Sequence, residues 1–304
     1  MAVTFQGSIA ALVTPFKNGQ VDEKGLKSLI DWLIENGTDG LVPCGTTGES
    51  ATLSHEEHER VVELTIQAAQ GRVPVIAGTG SNSTKEAIRL TRSAQKAGAD
   101  AALLISPYYN KPTQEGLYQH FKAISESVDI PLFLYNIPGR TAVNILPGTI
   151  ARIAELKNVI GVKEATGDMK QAAEIIAVCP KEFIILSGDD YTILPLLSIG
   201  GKGVISVVAN VVPKETAGLV DAWFAGDIEE AKRLQYYLLP IAQVLFSETN
   251  PIPVKTALAL MGKIENAELR LPLYQMGEPN LQKLKGVLKQ NNIKLTAEII
   301  KTVE

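Results

Sequence analysis

The feature that most constrains this chain is an alternation. A short apolar, β-branched run is followed by a longer stretch of helical period, and the unit recurs eight times. The strand-like runs lie at 8–13, 39–42, 73–77, 101–105, 131–134, 159–162, 183–186 and 203–207. Helical stretches separate them at 23–35, 56–69, 84–97, 114–126, 147–155, 169–178 and 191–198, and another at 213–224 follows the last strand. Strands joined through helices run parallel, and a parallel sheet needs helices to cover it. Eight such units over about 220 residues predict an α/β protein of the (β/α)8 TIM-barrel class. An open doubly wound sheet shares the alternation, but its glycine-rich dinucleotide turn is missing. Thr14-Pro15-Phe16 follows the first strand instead.

Beyond residue 226 the strand-like runs stop, and helical stretches follow at 228–246, 253–261, 281–289 and 297–302. The expected organisation is a barrel over 1–226 carrying the active site, with a C-terminal helical appendage over 227–304 packed on it. A net charge of −4 without a long basic run leaves no electrostatic footprint for nucleic acid. Two cysteines, Cys44 and Cys179, cannot build a disulfide framework. Without a signal-peptide pattern or an apolar run of membrane-spanning length, the expected location is cytoplasmic, away from membranes.

Barrels of this class place their chemistry at the C-terminal ends of the strands. The polar residues there are Thr46 and Thr47, Gly78-Thr79-Gly80, Tyr108 and Tyr109, Tyr135 and Arg140, Lys163 and Glu164, and Gly188-Asp189-Asp190. Lys163 is the sharpest signal, because it closes the otherwise apolar run Val159-Ile-Gly-Val-Lys163. An ammonium ion taken from water must be paired or give up its proton, and a neutral amine is the nucleophile that forms Schiff bases. Alone, Lys163 reads equally well as a barrel lysine neutralised by Glu164. Tyr135 stands 28 residues earlier, one unit back, so it should sit level with Lys163 on the adjacent strand. A phenol there can shuttle a proton, or simply plug the barrel mouth. Thr46 and Thr47 lie in a glycine-bounded turn whose hydroxyls and N–H groups suit a carboxylate, though such turns are common. Arg140 can grip a carboxylate bidentately.

Other motifs fail. His55-x-x-His58 lacks the pattern and the third ligand of a zinc site, so no metal is expected. Cys44 has no evident histidine base and reads as a small buried residue. There is no phosphate loop and no G-x-S-x-G elbow. The cluster Gly200-Gly201-Lys202-Gly203 precedes the last strand and so faces the wrong end for a phosphate.

Taken together, the segments Gly45-Thr-Thr-Gly-Glu-Ser-Ala-Thr52, Ala77-Gly-Thr-Gly80, Ser106-Pro-Tyr-Tyr-Asn-Lys-Pro112, Tyr135-Asn-Ile-Pro-Gly-Arg-Thr141, Gly161-Val-Lys-Glu-Ala-Thr166, Ser187-Gly-Asp-Asp190 and Asn250-Pro-Ile-Pro-Val-Lys255 resemble a known family. It is the 4-hydroxy-tetrahydrodipicolinate (dihydrodipicolinate) synthases, within the pyruvate-dependent class I aldolase superfamily that includes N-acetylneuraminate lyase. The resemblance runs from about Gly7 to Leu273. It implies condensation of pyruvate with L-aspartate 4-semialdehyde and no organic cofactor. Lys163 would form the Schiff base, Tyr135 would move the proton, and Thr46 and Tyr109 would complete a relay, Tyr109 entering from a neighbouring subunit. Thr47 and Ile205 would contact pyruvate, Gly188 would border the substrate, and Arg140 would hold the second substrate's carboxylate. The family is usually a homotetramer. It often binds L-lysine as inhibitor at positions matching Ser50, Ala51, His55, His58, Asn82, Glu86 and Tyr108. The alternatives are a Schiff-base aldolase acting on a sugar acid, and a catalytically silent metabolite-binding barrel. The tail at 291–304 extends past the usual family end.

Overall fold

The structure is a computed structural model that describes residues 4–296. Its centre is a parallel ring of eight strands: β1 (Gly7–Ala11), β2 (Gly40–Val42), β3 (Ile76–Gly78), β4 (Ala101–Ile105), β5 (Leu132–Asn136), β6 (Val159–Glu164), β7 (Ile184–Ser187) and β8 (Gly203–Ser206). The ladder runs β2-β1-β8-β7-β6-β5-β4-β3. A bridge between Leu41 and Val75, with Gly78 N–H donating to the Pro43 carbonyl at 2.9 Å, joins β2 to β3. The expected TIM barrel is therefore the observed fold.

Local differences have local causes. The third strand, expected over 73–77, begins only at Ile76. Pro74 has no N–H for the ladder, and its carbonyl instead accepts from Leu41 N–H at 3.0 Å. The helix expected over 191–198 opens as a 3-10 turn, Asp190–Thr192, before Ile193–Ser198. An antiparallel pair, Phe16–Lys17 with Gln20–Val21, follows β1. Its turn is Asn18-Gly19, with φ of 52° and 77°, and Asn-Gly is itself a hairpin signal in the sequence.

Strand alternation decides what fills the barrel. Ile9, Ala11, Val42, Ile76, Leu103, Phe133, Tyr135, Leu186 and Ile205 form one buried cluster on the inner face. The other faces join the two clusters beneath the surrounding helices. Phe133 fills the layer below Lys163. A Cβ on its register partner Gly161 would fall 2.5 Å from the phenyl ring. Phe5 meets Phe133 edge-on, with centroids 5.3 Å apart. Gly203 lies so close to Gly7 that a Cβ would come within 2.0 Å of the Gly7 carbonyl oxygen. Gly203 thus serves strand packing.

Three further helices complete the chain: Ile228–Leu245, Ile252–Leu260 and Glu278–Gln290. Every residue of the middle one is buried, and all three contribute to the cluster that also holds residues of β1 to β3. The short helix expected over 297–302 lies outside the described residues.

Candidate active site

Lys163 and Tyr135 are register partners across β5 and β6. Both point inward at the C-terminal end of the barrel, and both are buried. The Lys163 ammonium nitrogen lies 4.1 Å from the centroid of the Tyr135 ring. The next residues, Asn136 and Glu164, face the other way. Glu164 accepts from Asn136 Nδ2 at 3.1 Å and from Thr166 N–H at 2.9 Å, and burial raises its pKa above the usual carboxylate range. The neutralising partner suggested by sequence is therefore turned away, and Lys163 forms no ion pair among the described residues. Gly188 makes room for it: a Cβ there would sit 3.0 Å from both Cγ and Cε of Lys163. Ile205, from β8, belongs to the same inner cluster as Tyr135.

The turn after β2 carries the two threonines. Its backbone is tight, with Gly48 N–H donating to the Gly45 carbonyl and Glu49 N–H to that of Thr46, each at 3.1 Å. Buried Thr47 receives a hydrogen bond from Asn250 Nδ2 at 3.0 Å. Arg140 sits on a one-turn helix, Pro138–Thr141, and donates to the Asn250 carbonyl at 3.2 Å. Asn250 thus joins two expected substrate-binding residues. Its own role went unread, although its segment was conspicuous in the sequence.

A cleft of about 490 Å³ opens here, lined by Thr46, Glu49, Gly80, Ile105, Arg140 and Asn250. The same cleft is lined by Ser50, Ala51, His55, His58, Glu86 and Tyr108, the positions that the resemblance assigns to an inhibitor. Asn82 stands beside it, donating to the Tyr108 carbonyl at 3.2 Å. His55 Nδ1 accepts from Arg89 at 2.8 Å, so its Nε2–H donates to Glu86 at 2.8 Å. The hydrogen bond from the Ser81 hydroxyl, aided by His55, holds the Glu86 carboxyl below the usual range. His58 is committed elsewhere: Nε2 donates to the Gly78 carbonyl at 2.8 Å, and burial pushes its pKa down. Cys44 is buried at a φ of 55°, its thiol donating to the His58 carbonyl at 3.5 Å, and burial raises its thiol pKa, as befits a small packed residue. Tyr109 is not brought to Lys163 within one chain: it is 90% exposed, on a backbone at φ 71°.

No group of three or more His, Cys, Asp or Glu side chains suited to a metal occurs among the described residues. None of the described helices is long and apolar enough to cross a membrane.

A buried lysine and tyrosine at the C-terminal mouth of a TIM barrel, beside a cleft, define a barrel enzyme with an amine at its centre. The dihydrodipicolinate synthetase family model matches residues 4–291, and the chain belongs to that family. A 4-hydroxy-tetrahydrodipicolinate synthase of Syntrophus aciditrophicus is 61% identical over 94% of this chain and 98% of its own length. Among solved structures, dihydrodipicolinate synthase from Aquifex aeolicus superposes with a TM-score of 0.95 at 51% identity, covering 96% of this chain and all of its own. The Acinetobacter baumannii enzyme, described as chloride inhibited and complexed with pyruvate, gives 0.93 at 49% identity over 96% and 100% of the chains. The Cyanidioschyzon merolae enzyme with lysine bound gives 0.92 at 40% over 95% and 99%.

Proposed function

We propose that this enzyme condenses pyruvate with L-aspartate 4-semialdehyde to give 4-hydroxy-tetrahydrodipicolinate, the first committed step towards diaminopimelate and lysine. The observation that carries this reading is Lys163, buried beside Tyr135 with no carboxylate against it. The Lys163 amine attacks the C2 ketone of pyruvate, and loss of water leaves an imine. Loss of a C3 proton gives an enamine, whose carbon attacks the semialdehyde carbonyl. The substrate's own amine then attacks C2, closing the ring and releasing Lys163. Splitting the condensation in this way replaces one high barrier by several lower ones. Tyr135 moves the protons, with Thr46 and Tyr109, the latter entering from a neighbouring subunit, as relay, and such help is worth about 10²–10⁴-fold. Thr47 and Ile205 hold pyruvate, Gly188 keeps the space beside it, and Arg140 takes the carboxylate of the semialdehyde. The chain's own amine does the work for which other enzymes recruit an organic cofactor.

The exposed, strained Tyr109 and the family membership support assembly into a tight dimer, paired into a tetramer. L-lysine is the inhibitor we assign to the cleft at His55, Glu86 and Tyr108. Glu86 offers a charge to its ammonium, and a family member has been solved with lysine bound.

Two assays test the reading. Borohydride added with pyruvate should fix the adduct on Lys163, and pyruvate with the semialdehyde should turn over in a reductase-coupled NADPH assay. Adduct formation without semialdehyde turnover, accompanied by cleavage of a sugar acid, would transfer the chain to the sugar-acid aldolases. No adduct would leave a silent binding barrel. Sedimentation at micromolar protein checks the assembly.

A further inference from the structure

We propose that the buried ion pair between Lys255 and Glu49 is a positioning device for the Gly45–Thr47 turn, and that through it the C-terminal helical region sets the reactive geometry of the threonines. The inference rests on the reading of Thr46 and Thr47 given above.

Glu49 ends the turn in a left-handed conformation, φ 54°, and its side chain is removed from solvent. One carboxylate oxygen accepts from Lys255 Nζ at 2.6 Å, and the other from Arg270 N–H at 3.2 Å. Lys255 is wholly buried in the helix Ile252–Leu260, with Nζ 4.0 Å from the centroid of the Phe16 ring. The Arg270 guanidinium stands 4.4 Å from the same ring. It grips Glu57 with two bonds of 2.6 Å and donates to the Thr52 carbonyl at 2.9 Å. Five residues before Lys255 in the same connection, Asn250 holds Thr47. The turn is thus tied at Thr47 and at Glu49 to one C-terminal segment. On the barrel side, the Thr14 hydroxyl donates to the Gly48 carbonyl at 2.8 Å.

A buried ion pair is poor evidence of stability, because desolvation of both charges offsets their attraction and an apolar pair of similar volume packs as well. What it supplies is direction: one nitrogen must meet one carboxylate at hydrogen-bond distance. Here that requirement falls on the residue next but one to Thr47.

The test uses the full-length protein and the variants E49Q, K255M and the neutral double E49Q/K255M. The double leaves no unpaired buried charge, so it separates position from folding. Hydrogen–deuterium exchange should accelerate at least tenfold in amides 45–52 of the double, with β5 and β6 unchanged. Its kcat should fall at least tenfold. In a T46V background, E49Q/K255M should cost less than a further twofold, because the changes act through the same hydroxyl. Unchanged exchange in 45–52 overturns the proposal. So does a double variant with wild-type kcat, or an E49Q/K255M penalty that is equal in both backgrounds. If the wild type shows no pyruvate chemistry, it is the proposed function that fails, and the exchange result still decides the role of the pair.

Discussion

Gly188→Ala is the most direct probe of the lysine. The new methyl would sit 3.0 Å from Cγ and Cε of Lys163 and 2.6 Å from Cβ of Ala165. Carbon atoms rest about 3.5–4.0 Å apart, so the stem of Lys163 has to yield by about 0.5–1 Å. Gly188 itself is not in a conformation reserved for glycine, and backbone strain does not enter. A displacement near 1 Å at a reacting group costs about 10²-fold, whereas overpacking costs about 1–3 kcal/mol of stability. The expected variant is folded, melts a few degrees lower, and forms the reduced pyruvate adduct at about one hundredth of the wild-type rate. The assay is a time course of borohydride trapping read by intact mass, beside a thermal melt. A folded G188A that traps pyruvate at the wild-type rate would falsify the claim that this glycine exists to clear space for Lys163. Gly161→Ala, whose methyl would meet Phe133 and the Ile184 carbonyl, provides the contrast: its main loss should be stability.

Other expectations can be checked together. In K163M, borohydride and pyruvate should leave no adduct anywhere on the chain, the wholly buried Lys255 included. Asn250→Ala removes the bond to Thr47, and losing about 1–1.5 kcal/mol should raise the pyruvate KM about fivefold to tenfold in steady-state assays. In E86A, the L-lysine concentration for half-inhibition should rise at least tenfold, and an unshifted titration would remove Glu86 from that site. His120 is buried with its Nε2 unpartnered among the described residues, and burial pushes its pKa down from 6.5 to about 4. Between those values the unfolded chain binds the proton and the native chain does not. Stability is therefore lost as pH falls from 6.5 to about 4, by up to about 3 kcal/mol. In H120Q, chemical denaturation across that range should lose this component.

The barrel was legible because its signal is periodic: eight apolar runs at near-regular spacing leave few ways to bury both faces of a sheet. Lys163 and Tyr135 were legible for the same reason, since one unit of spacing puts residues level on adjacent strands. What the pattern hid was made by long-range contact. Nothing near Glu49 in sequence announces Lys255 or Arg270, which arrive from more than 200 residues away. The burial of Lys255 was equally unreadable, because a lysine in an apolar helix normally extends its amine to water. Gly188 was placed beside the substrate only by resemblance, and the room it leaves for Lys163 appears only when the space beside it is measured. Nor did spacing alone show that Thr46 and Arg140 share one cleft with the positions matched to the inhibitor.

The helix Ile252–Leu260 has one more consequence. With no exposed residue along its length, it has no surface on which it could end a fragment. A chain cut at 226 would lose Asn250 and Lys255 and would open to water the face of the barrel they cover. The helices after 226 share one buried cluster with strand residues, and the chain should melt as one cooperative unit. Grafting this barrel onto another C-terminal region would thus require importing residues 249–270 with it.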